Sequence, residues 1–290
     1  MKAILLAGGN GTRLYPSTIS VSKQLLPVYD KPLIYYPLSV LMLAGIRDIL
    51  IITNRHNLPN FKKLLSDGNN LGIKITYKIQ DKPNGIAESL IIGEKFIKND
   101  SVCLILGDNI FYGNNLINYL KEASMNSHEN ATIFGYQVSN PEDYGVISFD
   151  KKNLPIKIEE KPKKPKSNLA ITGLYFYPPN VSNVAKKTPY SKRKELEITS
   201  VNNYYLKKKK LKIINMGRGF AWLDTGTHSN LMEASSFIYA IEKRQDLKIG
   251  CIEEIALNQG FISQKKFNSL VSSIKIDNQY YSYLKKLIKK

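Results

Sequence analysis

The chain has 290 residues, of which 43% are hydrophobic and 23% charged. These values suit one large folded domain with at most a modest appendage, and they exclude a chain that is disordered over most of its length. No apolar run approaches the ~18 residues that a membrane-spanning helix needs, and the N-terminus leaves no room for the apolar region of a signal peptide. We therefore expect a cytoplasmic protein that does not bind a membrane.

The chain is strongly basic, with 42 Lys and Arg against 24 Asp and Glu and a formal net charge of +18. A nucleic-acid partner would be one explanation. Only six of the basic residues are arginine, however, and base and phosphate recognition favour the arginine fork over lysine. We expect no nucleic-acid partner, and a lysine-rich surface that can attract an anionic substrate from a distance.

The cysteines and histidines are too few and too scattered for a zinc site. Cys103 and Cys251 lie far apart, and the three histidines are separated from one another. The pattern favours neither a metal cluster nor a disulfide framework. Cys103 falls within an apolar run and is predicted to be a small buried side chain.

The first half of the chain alternates apolar strands with helical patterns. Strands are predicted over 2–7, 49–53, 73–79, 102–106 and 131–138, and helices over 33–44, 60–65, 86–97 and 116–123. This alternation predicts an α/β fold with a Rossmann-like, mostly parallel sheet and helices on both faces.

The pattern changes after residue 140. Strands are predicted over 144–149, 155–160, 170–177 and 211–216, and helices over 197–206, 228–245, 252–258, 263–272 and 278–288. No long helix separates the first three of these strands, which indicates an antiparallel extension of the sheet, because parallel strands need long crossovers. The chain is predicted to end in a set of C-terminal helices.

The densest functional signal is the run Gly8-Gly9-Asn10-Gly11-Thr12-Arg13, which directly follows the first predicted strand. In a parallel sheet, ligands bind beyond the carboxyl ends of the strands. Three glycines let backbone N–H groups converge on an anion, and Arg13 adds a permanent charge for phosphate oxygens. The run is not GxxxxGK[ST], and it lacks the last glycine of GxGxxG. An ordinary glycine-rich turn is the alternative.

Two aspartates are candidate ligands for a hard cation. Asp108 follows the strand 102–106, at the same predicted sheet edge as the glycine run, and Asp224 lies among small and aromatic residues. Mg²⁺ typically takes one or two protein carboxylates together with phosphate oxygens and water. The alternatives are an Asp-Asn turn at Asp108 and, for Asp224 or Thr227, a cap of the helix that begins at 228.

Weaker features carry side chains that suit a phosphorylated sugar. Lys23 could fold back over phosphates bound by the glycine run. Glu160 and Lys161 combine an acceptor for hydroxyl groups with a phosphate ligand, Gly145 leaves room for a substrate, and Arg193 could reach an anion. Taken alone, each has a plainer explanation: a surface lysine, a solvated charge run, or a turn at the start of a strand.

Together these motifs resemble those of the sugar-phosphate nucleotidyltransferases. The resemblance is carried by GGNGTRLYP at 8–16, SKQLLPVYDKPLIYYPL at 22–38, LGDN at 106–109, DYGV at 143–146, EEKP at 159–162, ITGLYFY at 171–177, ELEIT at 195–199 and MGRGFAWLDTGTH at 216–228. The motifs occur in the family's order over nearly the whole chain, and the run after the glycines is similar to that of the thymidylyl-transferring branch. The resemblance implies a GT-A-like nucleotidyltransferase fold whose antiparallel extension binds the sugar.

The resemblance further implies a Mg²⁺-dependent reaction in which dTMP passes from dTTP to α-D-glucose 1-phosphate. The products would be dTDP-glucose and pyrophosphate, in the first step of dTDP-L-rhamnose and related deoxysugar synthesis. The sugar phosphate oxygen would attack the α-phosphorus in line, so that positioning and charge neutralisation by the protein would carry the rate.

Roles for individual residues are carried over from the same resemblance. Those implied to bind the nucleotide are Gly8, Gly11, Thr12, Arg13, Lys23, Gln24, Gln80, Gly85 and Asp108. Those implied to bind the sugar phosphate are Asn109, Tyr144, Gly145, Glu160, Lys161, Ile171 and Arg193. Those implied to bind Mg²⁺ are Asp108 and Asp224. Those implied to take part in catalysis are Arg13, Lys23, Asp108, Lys161 and Arg193.

The expected division of the chain is a catalytic core over 1–227 and a C-terminal helical segment over 228–290. Within the core, residues 1–140 would form the nucleotide part and residues 141–227 the sugar-binding part. The C-terminal segment would serve subunit contacts or regulation. The resemblance also implies a homotetramer that is inhibited by dTDP-rhamnose at a second site between subunits.

The chain departs from the family pattern near the predicted base pocket. Asn84 and Glu88 stand where related sequences often have Asp and Gln, while Gly85 is retained. Near Arg193, a lysine is added at 194 and an Asp is lost at 200. The alternatives are therefore an enzyme that uses UTP or another hexose 1-phosphate and, in another class, an inactive nucleotide-binding homologue. We expect activity to be retained.

Overall fold

The structure is a computed structural model that describes residues 1–288. Its strands are β1 (Lys2–Ala7), β2 (Pro27–Val28), β3 (Lys31–Pro32), β4 (Asp48–Thr53), β5 (Lys74–Ile79), β6 (Val102–Leu106), β7 (Asn109–Gly113), β8 (Ala131–Gln137), β9 (Gly145–Phe149), β10 (Pro155–Glu160), β11 (Leu169–Tyr177), β12 (Leu211–Asn215) and β13 (Phe220–Asp224). Its α-helices are α1 (Tyr35–Leu43), α2 (Leu58–Leu65), α3 (Glu88–Ile92), α4 (Glu94–Ile97), α5 (Leu116–Asn126), α6 (Val181–Lys186), α7 (Ile198–Lys207), α8 (His228–Gln245), α9 (Ile252–Asn258), α10 (Gln264–Ser272) and α11 (Gln279–Lys286).

Within residues 1–288, nine strands form one sheet with a parallel half and a mixed half. The parallel half has the order β6-β1-β4-β5. On the other side of β6, strand β11 runs antiparallel to it and pairs with β8 and β9. Strand β10 extends this half antiparallel to β9, and β12 pairs parallel with β8. The predicted α/β fold, with its Rossmann-like sheet, antiparallel extension and C-terminal helices, is confirmed.

The central strands are apolar on both faces, and each face of the sheet contacts a separate core. Leu5 and Ile105 belong to the core on one face, whereas Ile4 and Leu104 belong to the core on the other. Continuous apolar runs of this kind are typical of parallel strands that helices cover on both sides. Each such buried side chain stabilises the fold by about 1.5–3 kcal/mol.

The strand order places two loops at one crevice. From β1 the chain crosses to β4 and β5 on one side and returns to β6 on the other, so the order reverses between β1 and β6. Leu6 and Leu106 are register partners at the carboxyl ends of these two strands. Ligands of α/β sheets bind outside such a reversal point, and the loops after β1 and β6 are those that carry the glycine run and Asp108.

The prediction of one helix over 86–97 is wrong. The structure has two short helices, α3 and α4, on either side of Gly93. A β-carbon at Gly93 would lie 2.5 Å from Ile4 Cδ1, so the break falls where the helical segment approaches β1 closely.

Four strands were not predicted: the two-residue strands β2 and β3, and the longer strands β7 and β13. Strands β7 and β13 form a separate antiparallel pair in which Asp224 lies opposite Asn109. The turn considered as an alternative at Asp108 is present at 107–108, and β7 begins directly after it. The pairing brings two distant motifs of the sequence to one place.

The C-terminal helices pack on the nucleotide half of the molecule. The Thr227 side chain accepts a hydrogen bond from Asn230 N at 3.2 Å and caps α8. At the other end of α8, the buried Glu242 accepts from Lys31 Nζ at 3.0 Å and from Lys248 Nζ at 2.8 Å. The predicted helical segment is confirmed as far as the structure describes it; residues 289 and 290 lie outside the described residues.

Both cysteines are free and buried. Cys103 lies within β6, as predicted. Over residues 1–288, no helix has both the length and the apolar character that a bilayer crossing requires.

Candidate active site

The glycine run forms a tight loop directly after β1. Gly9 and Gly11 have φ angles of 97° and 58°, a region that glycine adopts without the strain other residues incur. Thr18 Oγ1 donates to Gly11 O at 2.7 Å and closes the loop. A β-carbon at Gly8 would lie 2.7 Å from Gln80 Oε1, so this glycine allows the Gln80 side chain to approach the backbone.

Lys23 is a buried side chain, and the explanation as a surface lysine is wrong. It is 8% exposed, and its Nζ lies 2.7 Å from Asp108 Oδ2. Burial disfavours the Asp108 carboxylate, but the Lys23 ammonium and the hydrogen bonds from Lys23 and Asn109 outweigh that effect. The pKa of Asp108 therefore lies below its ordinary value.

Asp108 accepts hydrogen bonds from the first residue of β7 and from the residue that follows β13. Asn109 Nδ2 donates to Asp108 Oδ1 at 2.9 Å, and Thr225 Oγ1 donates to Asp108 O at 2.9 Å. Asn109 Oδ1 itself accepts from Gly173 N at 3.0 Å and from Trp222 Nε1 at 2.6 Å. These bonds join β7, β11 and β13 beneath the carboxylate.

Asp224 faces the same point from β13. Burial and the Asp108 carboxylate raise the pKa of Asp224 to about 6, although Lys23 and Arg13 oppose the shift. The helix-cap alternative for Asp224 is wrong, because the side chain of Thr227 caps α8.

The two aspartates are a donor set that fits Mg²⁺. Two carboxylates whose charges disfavour one another, beside a loop suited to phosphate, would be stabilised by a hard cation that completes its shell with phosphate and water oxygens. Among the described residues there is no group of three or more His, Cys, Asp and Glu that could hold a metal ion. In the cavity beside the glycine run, Asp108 and Asp224 are the pair of carboxylates that could share a cation with a bound phosphate.

The antiparallel half supplies the opposite wall. A β-carbon at Gly145 would lie 3.4 Å from Glu160 Oε2 and 3.0 Å from Thr199 Cγ2, so glycine keeps this part of the wall open. Burial and the Glu197 carboxylate raise the pKa of Glu160 above its ordinary value, against the opposing charge of Arg193.

Arg193 stands at the rim of this wall in a fixed orientation. Its Nε and Nη2 donate to the two oxygens of Glu197 at 3.1 and 3.0 Å, and Nη2 also donates to Glu195 at 3.0 Å. A guanidinium held in this fork can still present its remaining N–H groups to an anion. On the same wall, Lys161 N donates to Tyr144 O at 2.9 Å.

One cavity of about 370 Å³ connects these walls. The predicted site residues that line it are Arg13, Asp108, Asn109, Tyr144, Gly145, Glu160, Lys161, Ile171, Arg193 and Asp224. Lys23 adjoins the cavity through Asp108. The structure thus brings together every residue predicted to bind the sugar or the metal.

The remaining nucleotide residues flank the cavity rather than line it. Gln80 Nε2 donates to Gly85 O at 3.3 Å, next to Gly8. A β-carbon at Gly107, beside Asp108, would lie 3.0 Å from Gln24 Cγ. Gly11 and Thr12 belong to the loop after β1, and their predicted roles stay predictions.

Sequence reasoning missed several residues of the cavity. Glu197 orients Arg193, and Trp222 holds Asn109 and packs edge-on against Tyr144, with ring centroids 5.1 Å apart. Both lie within motifs that carry the resemblance, which was the signal available. Nothing in the sequence predicted their contacts, because those contacts join distant elements.

The comparisons with known proteins agree with this geometry. Residues 2–241 match the family model described as nucleotidyl transferase. The chain is 54% identical over 290 residues to a glucose-1-phosphate thymidylyltransferase of Neisseria meningitidis and 47% identical over 290 residues to one of Mycobacterium tuberculosis, with 100% of both sequences covered in each case.

Solved structures are similar as well. A crystal structure from Bacillus anthracis, assigned as a glucose-1-phosphate thymidylyltransferase and bound to a sucrose, superposes with a TM-score of 0.76 at 42% identity, covering 82% of this chain and 94% of that one. A UDP-glucose pyrophosphorylase in complex with UDP-glucose superposes with a TM-score of 0.69 at 26% identity, covering 83% and 98%. With its family model matched over most of its length, this chain belongs to the nucleotidyl transferase family.

Proposed function

We propose that the chain is a glucose-1-phosphate thymidylyltransferase, which joins dTTP and α-D-glucose 1-phosphate to give dTDP-glucose and pyrophosphate. The observation that carries this proposal is the single cavity in which Arg13, Asp108 and Asp224 face Glu160 and Arg193. It supports a reaction between two phosphorylated substrates, one on each wall. The names of the relatives at 47–54% identity support the choice of substrates.

The nucleotide wall binds and orients the triphosphate. The backbone N–H groups of the glycine run and the Arg13 guanidinium donate hydrogen bonds to phosphate oxygens, and the buried Lys23 ammonium adds a second positive charge. Two of these groups are fixed before substrate arrives: Lys23 by its ion pair and the loop by Thr18. Fixed charges at the place where negative charge develops lower the barrier to phosphoryl transfer.

Asp108 and Asp224 would hold Mg²⁺. When bound, this ion would neutralise charge on the α-phosphate and fix its orientation. In its absence, Asp224 keeps a raised pKa because of burial and the neighbouring Asp108 carboxylate.

The opposite wall binds the acceptor. Glu160 accepts hydrogen bonds from the sugar hydroxyls, and Lys161 with Arg193 binds the sugar phosphate, whose oxygen forms the new bond to the α-phosphorus as the bond to pyrophosphate breaks. Glu197 keeps Arg193 aimed at that phosphate. Positioning of this kind can supply most of the rate when no covalent step on the protein is needed.

The wider assignments are proposals on the same footing. Residues 1–140 would bind the nucleotide, residues 141–227 the sugar, and residues 228–290 would serve subunit contacts or regulation. The protein would be a cytoplasmic homotetramer that acts early in dTDP-L-rhamnose synthesis, with dTDP-rhamnose as feedback inhibitor. Its proposed substrates, a nucleoside triphosphate and a sugar phosphate, support a cytoplasmic location for the protein.

The test is release of pyrophosphate with Mg²⁺, glucose 1-phosphate and dTTP, UTP, ATP, CTP or GTP in parallel. We expect release with dTTP that EDTA abolishes. Preference for UTP would favour the activity named for the UDP-glucose pyrophosphorylase neighbour. The two bases differ by the methyl group of thymine, which is worth only about 1–3 kcal/mol of discrimination. No release with any of them would contradict the proposal and favour an inactive homologue.

A further inference from the structure

The side chain of Gln80 lies at the edge of the sheet where the nucleotide is proposed to bind. Gln80 follows β5 and is 6% exposed. Its Oε1 lies beside Gly8, at 2.7 Å from the position a β-carbon would take there. The carboxamide therefore stands against the glycine run, next to the loop proposed to bind the phosphates of the nucleotide.

The hydrogen bonds of Gln80 fix which end of the carboxamide faces the glycine run. Nε2 donates to Glu88 Oε2 at 2.7 Å and to Gly85 O at 3.3 Å. A carboxylate and a backbone carbonyl only accept hydrogen bonds. The amino group must point toward them, and the oxygen must point toward Gly8.

Glu88 is itself oriented by Asn84. Asn84 Nδ2 donates to Glu88 Oε1 at 2.8 Å, so each carboxylate oxygen has its own amide donor. The segment is anchored by the backbone, because Leu196 N donates to Asn84 O at 2.7 Å and a β-carbon at Gly85 would lie 2.4 Å from Leu196 O. The three side chains form one relay from Asn84 through Glu88 to Gln80.

We infer that Asn84 and Glu88 are positioning residues that keep Gln80 Oε1 directed toward the base as a hydrogen-bond acceptor. This inference rests on the proposed function to the extent that a pyrimidine nucleotide occupies the site. Thymine and uracil offer one N–H donor on the pairing edge, at N3, whereas N3 of cytosine is an acceptor. Asn84 and Glu88 thus favour thymine and uracil over cytosine through Gln80, without contacting the base themselves.

The relay also makes a chemical prediction about exchange of the two residues. An Asp at 84 accepts hydrogen bonds, so a Gln at 88 would turn its amino group toward Asp and its oxygen toward Gln80. The Gln80 amino group would again have an acceptor, and its Oε1 would again face the base. The pair of an Asp at 84 and a Gln at 88 would therefore be equivalent to the pair present here, with the roles of acid and amide exchanged.

Glu88→Gln alone should disrupt the last step of the relay. With Asn84 still donating, the amide oxygen of the new side chain faces residue 84 and its amino group faces Gln80. Gln80 then either keeps its 3.3 Å bond to Gly85 O with one amino group facing another, or rotates its oxygen toward residue 88 and presents its amino group to the base, which suits N3 of cytosine. Asn84→Asp combined with Glu88→Gln should restore the original direction.

The experiment is calorimetric titration of dTTP and of dCTP, with Mg²⁺ and without sugar phosphate, into the full-length parent, Glu88→Gln and the double variant. We expect the preference for dTTP over dCTP to fall about tenfold in Glu88→Gln, the effect of one inverted hydrogen bond, and to return to within about threefold of the parent in the double variant. Glu94→Gln, a change of the same type at a partly exposed position that pairs with Lys186, serves as the control and should leave the preference unchanged.

Equal preferences in the single and double variants, whether both unchanged or both impaired, would overturn the inference. Loss of folding is excluded as an explanation if the double variant binds like the parent. Failure of the proposed function would give a different result. The parent would bind dTTP but release no pyrophosphate with glucose 1-phosphate, while the preference for dTTP over dCTP would still differ between Glu88→Gln and the double variant.

Discussion

Asp224 is a residue whose requirements for function and for stability conflict. Its pKa in the folded chain is about 6, raised by burial and by Asp108, whereas a carboxyl of an unfolded chain has a pKa of about 3.9. The unfolded state therefore ionises first as the pH rises. The folded state loses stability from this group between about pH 4 and pH 6, and the loss is complete above pH 6.

We predict that Asp224→Asn stabilises the protein without Mg²⁺ and removes its activity. The free energy of unfolding at pH 7.5 in EDTA should rise by about 1–3 kcal/mol, and the difference from the parent should vanish near pH 4. Pyrophosphate release should fall by about 100-fold or more, because a metal ligand is lost. Denaturant unfolding at the two pH values measures the first effect.

The control for this prediction is Asp81→Asn. Asp81 is exposed and pairs with Arg55 at the surface. Because such surface pairs contribute little to stability, this substitution should change the free energy of unfolding only slightly. If Asp224→Asn lowers the free energy of unfolding at pH 7.5 instead of raising it, the account of repulsion between the two carboxylates is wrong.

A substitution of Glu160 should affect the binding of glucose 1-phosphate and not that of dTTP. We predict that Glu160→Gln raises KM for glucose 1-phosphate by about tenfold or more and leaves KM for dTTP within about threefold, since a charged acceptor for hydroxyl groups is lost. Because the pKa of Glu160 is raised by burial and by Glu197, acidification should weaken sugar binding in the parent at a higher pH than for an exposed Glu. That pH dependence should be absent from the variant. Equal changes in both KM values would contradict the assignment.

The residue types of the site could be predicted from the sequence, but their partners could not. Arg13, Asp108 and Asp224 stand in motifs at strand ends, where the sheet topology predicts a site. The burial of Lys23 and the fork of Glu197 on Arg193 depend on contacts between residues far apart in the chain. Such contacts become visible once the strands are paired.

At the scale of elements, one ion-pair cluster joins α8 to β3. Lys31 is 3% exposed and lies 3.0 Å from Glu242 Oε1, while Lys248 lies 2.8 Å from Glu242 Oε2. Ile249 N also donates to Glu242 at 2.8 Å. Glu242 is therefore the central acceptor for two ammonium groups and one backbone amide.

We predict that Glu242→Ala destabilises the protein by about 3–5 kcal/mol, because it leaves the Lys31 ammonium buried with one acceptor fewer. Glu233→Ala is the matched control, since Glu233 lies on the same helix and is exposed. Its effect should stay within about 0.5 kcal/mol. Thermal unfolding measures both variants, and equal effects would show that the cluster does not hold α8 in place.

Elements with regular apolar patterns were predicted well, and elements defined by their neighbours were not. Each predicted strand lies within one residue of its observed bounds, because buried strands alternate between two apolar cores. Strands β7 and β13 escaped prediction, since they stabilise one another as a pair and end in polar site residues. The break at Gly93 escaped it as well, because the cause is the approach of Ile4 from another strand.

For the whole molecule, the proposed assembly gives a direct expectation. Light scattering at micromolar concentration should give a mass four times that of the 32.9 kDa chain. Closed symmetric assemblies are the common form of soluble homo-oligomers. A mass equal to that of one chain would contradict the tetramer and, with it, any inhibitor site between subunits.

The net charge of +18 should also act at this scale. We predict that KM for dTTP rises with salt, because screening weakens the long-range attraction between a basic protein and an anionic substrate. Initial rates at 50 and 500 mM NaCl measure the effect. A KM that does not change would show that the lysine-rich surface plays no part in substrate capture.

The central claim is that one cavity brings both phosphorylated substrates together for direct transfer. The most direct measurement is a single turnover with α-³²P-labelled dTTP and ¹⁴C-labelled glucose 1-phosphate in Mg²⁺, followed by separation of the products. We predict that both labels appear in one product, dTDP-glucose, at the rate at which pyrophosphate is released. Phosphorus label in free dTMP or on the protein, without the sugar label, would contradict the account.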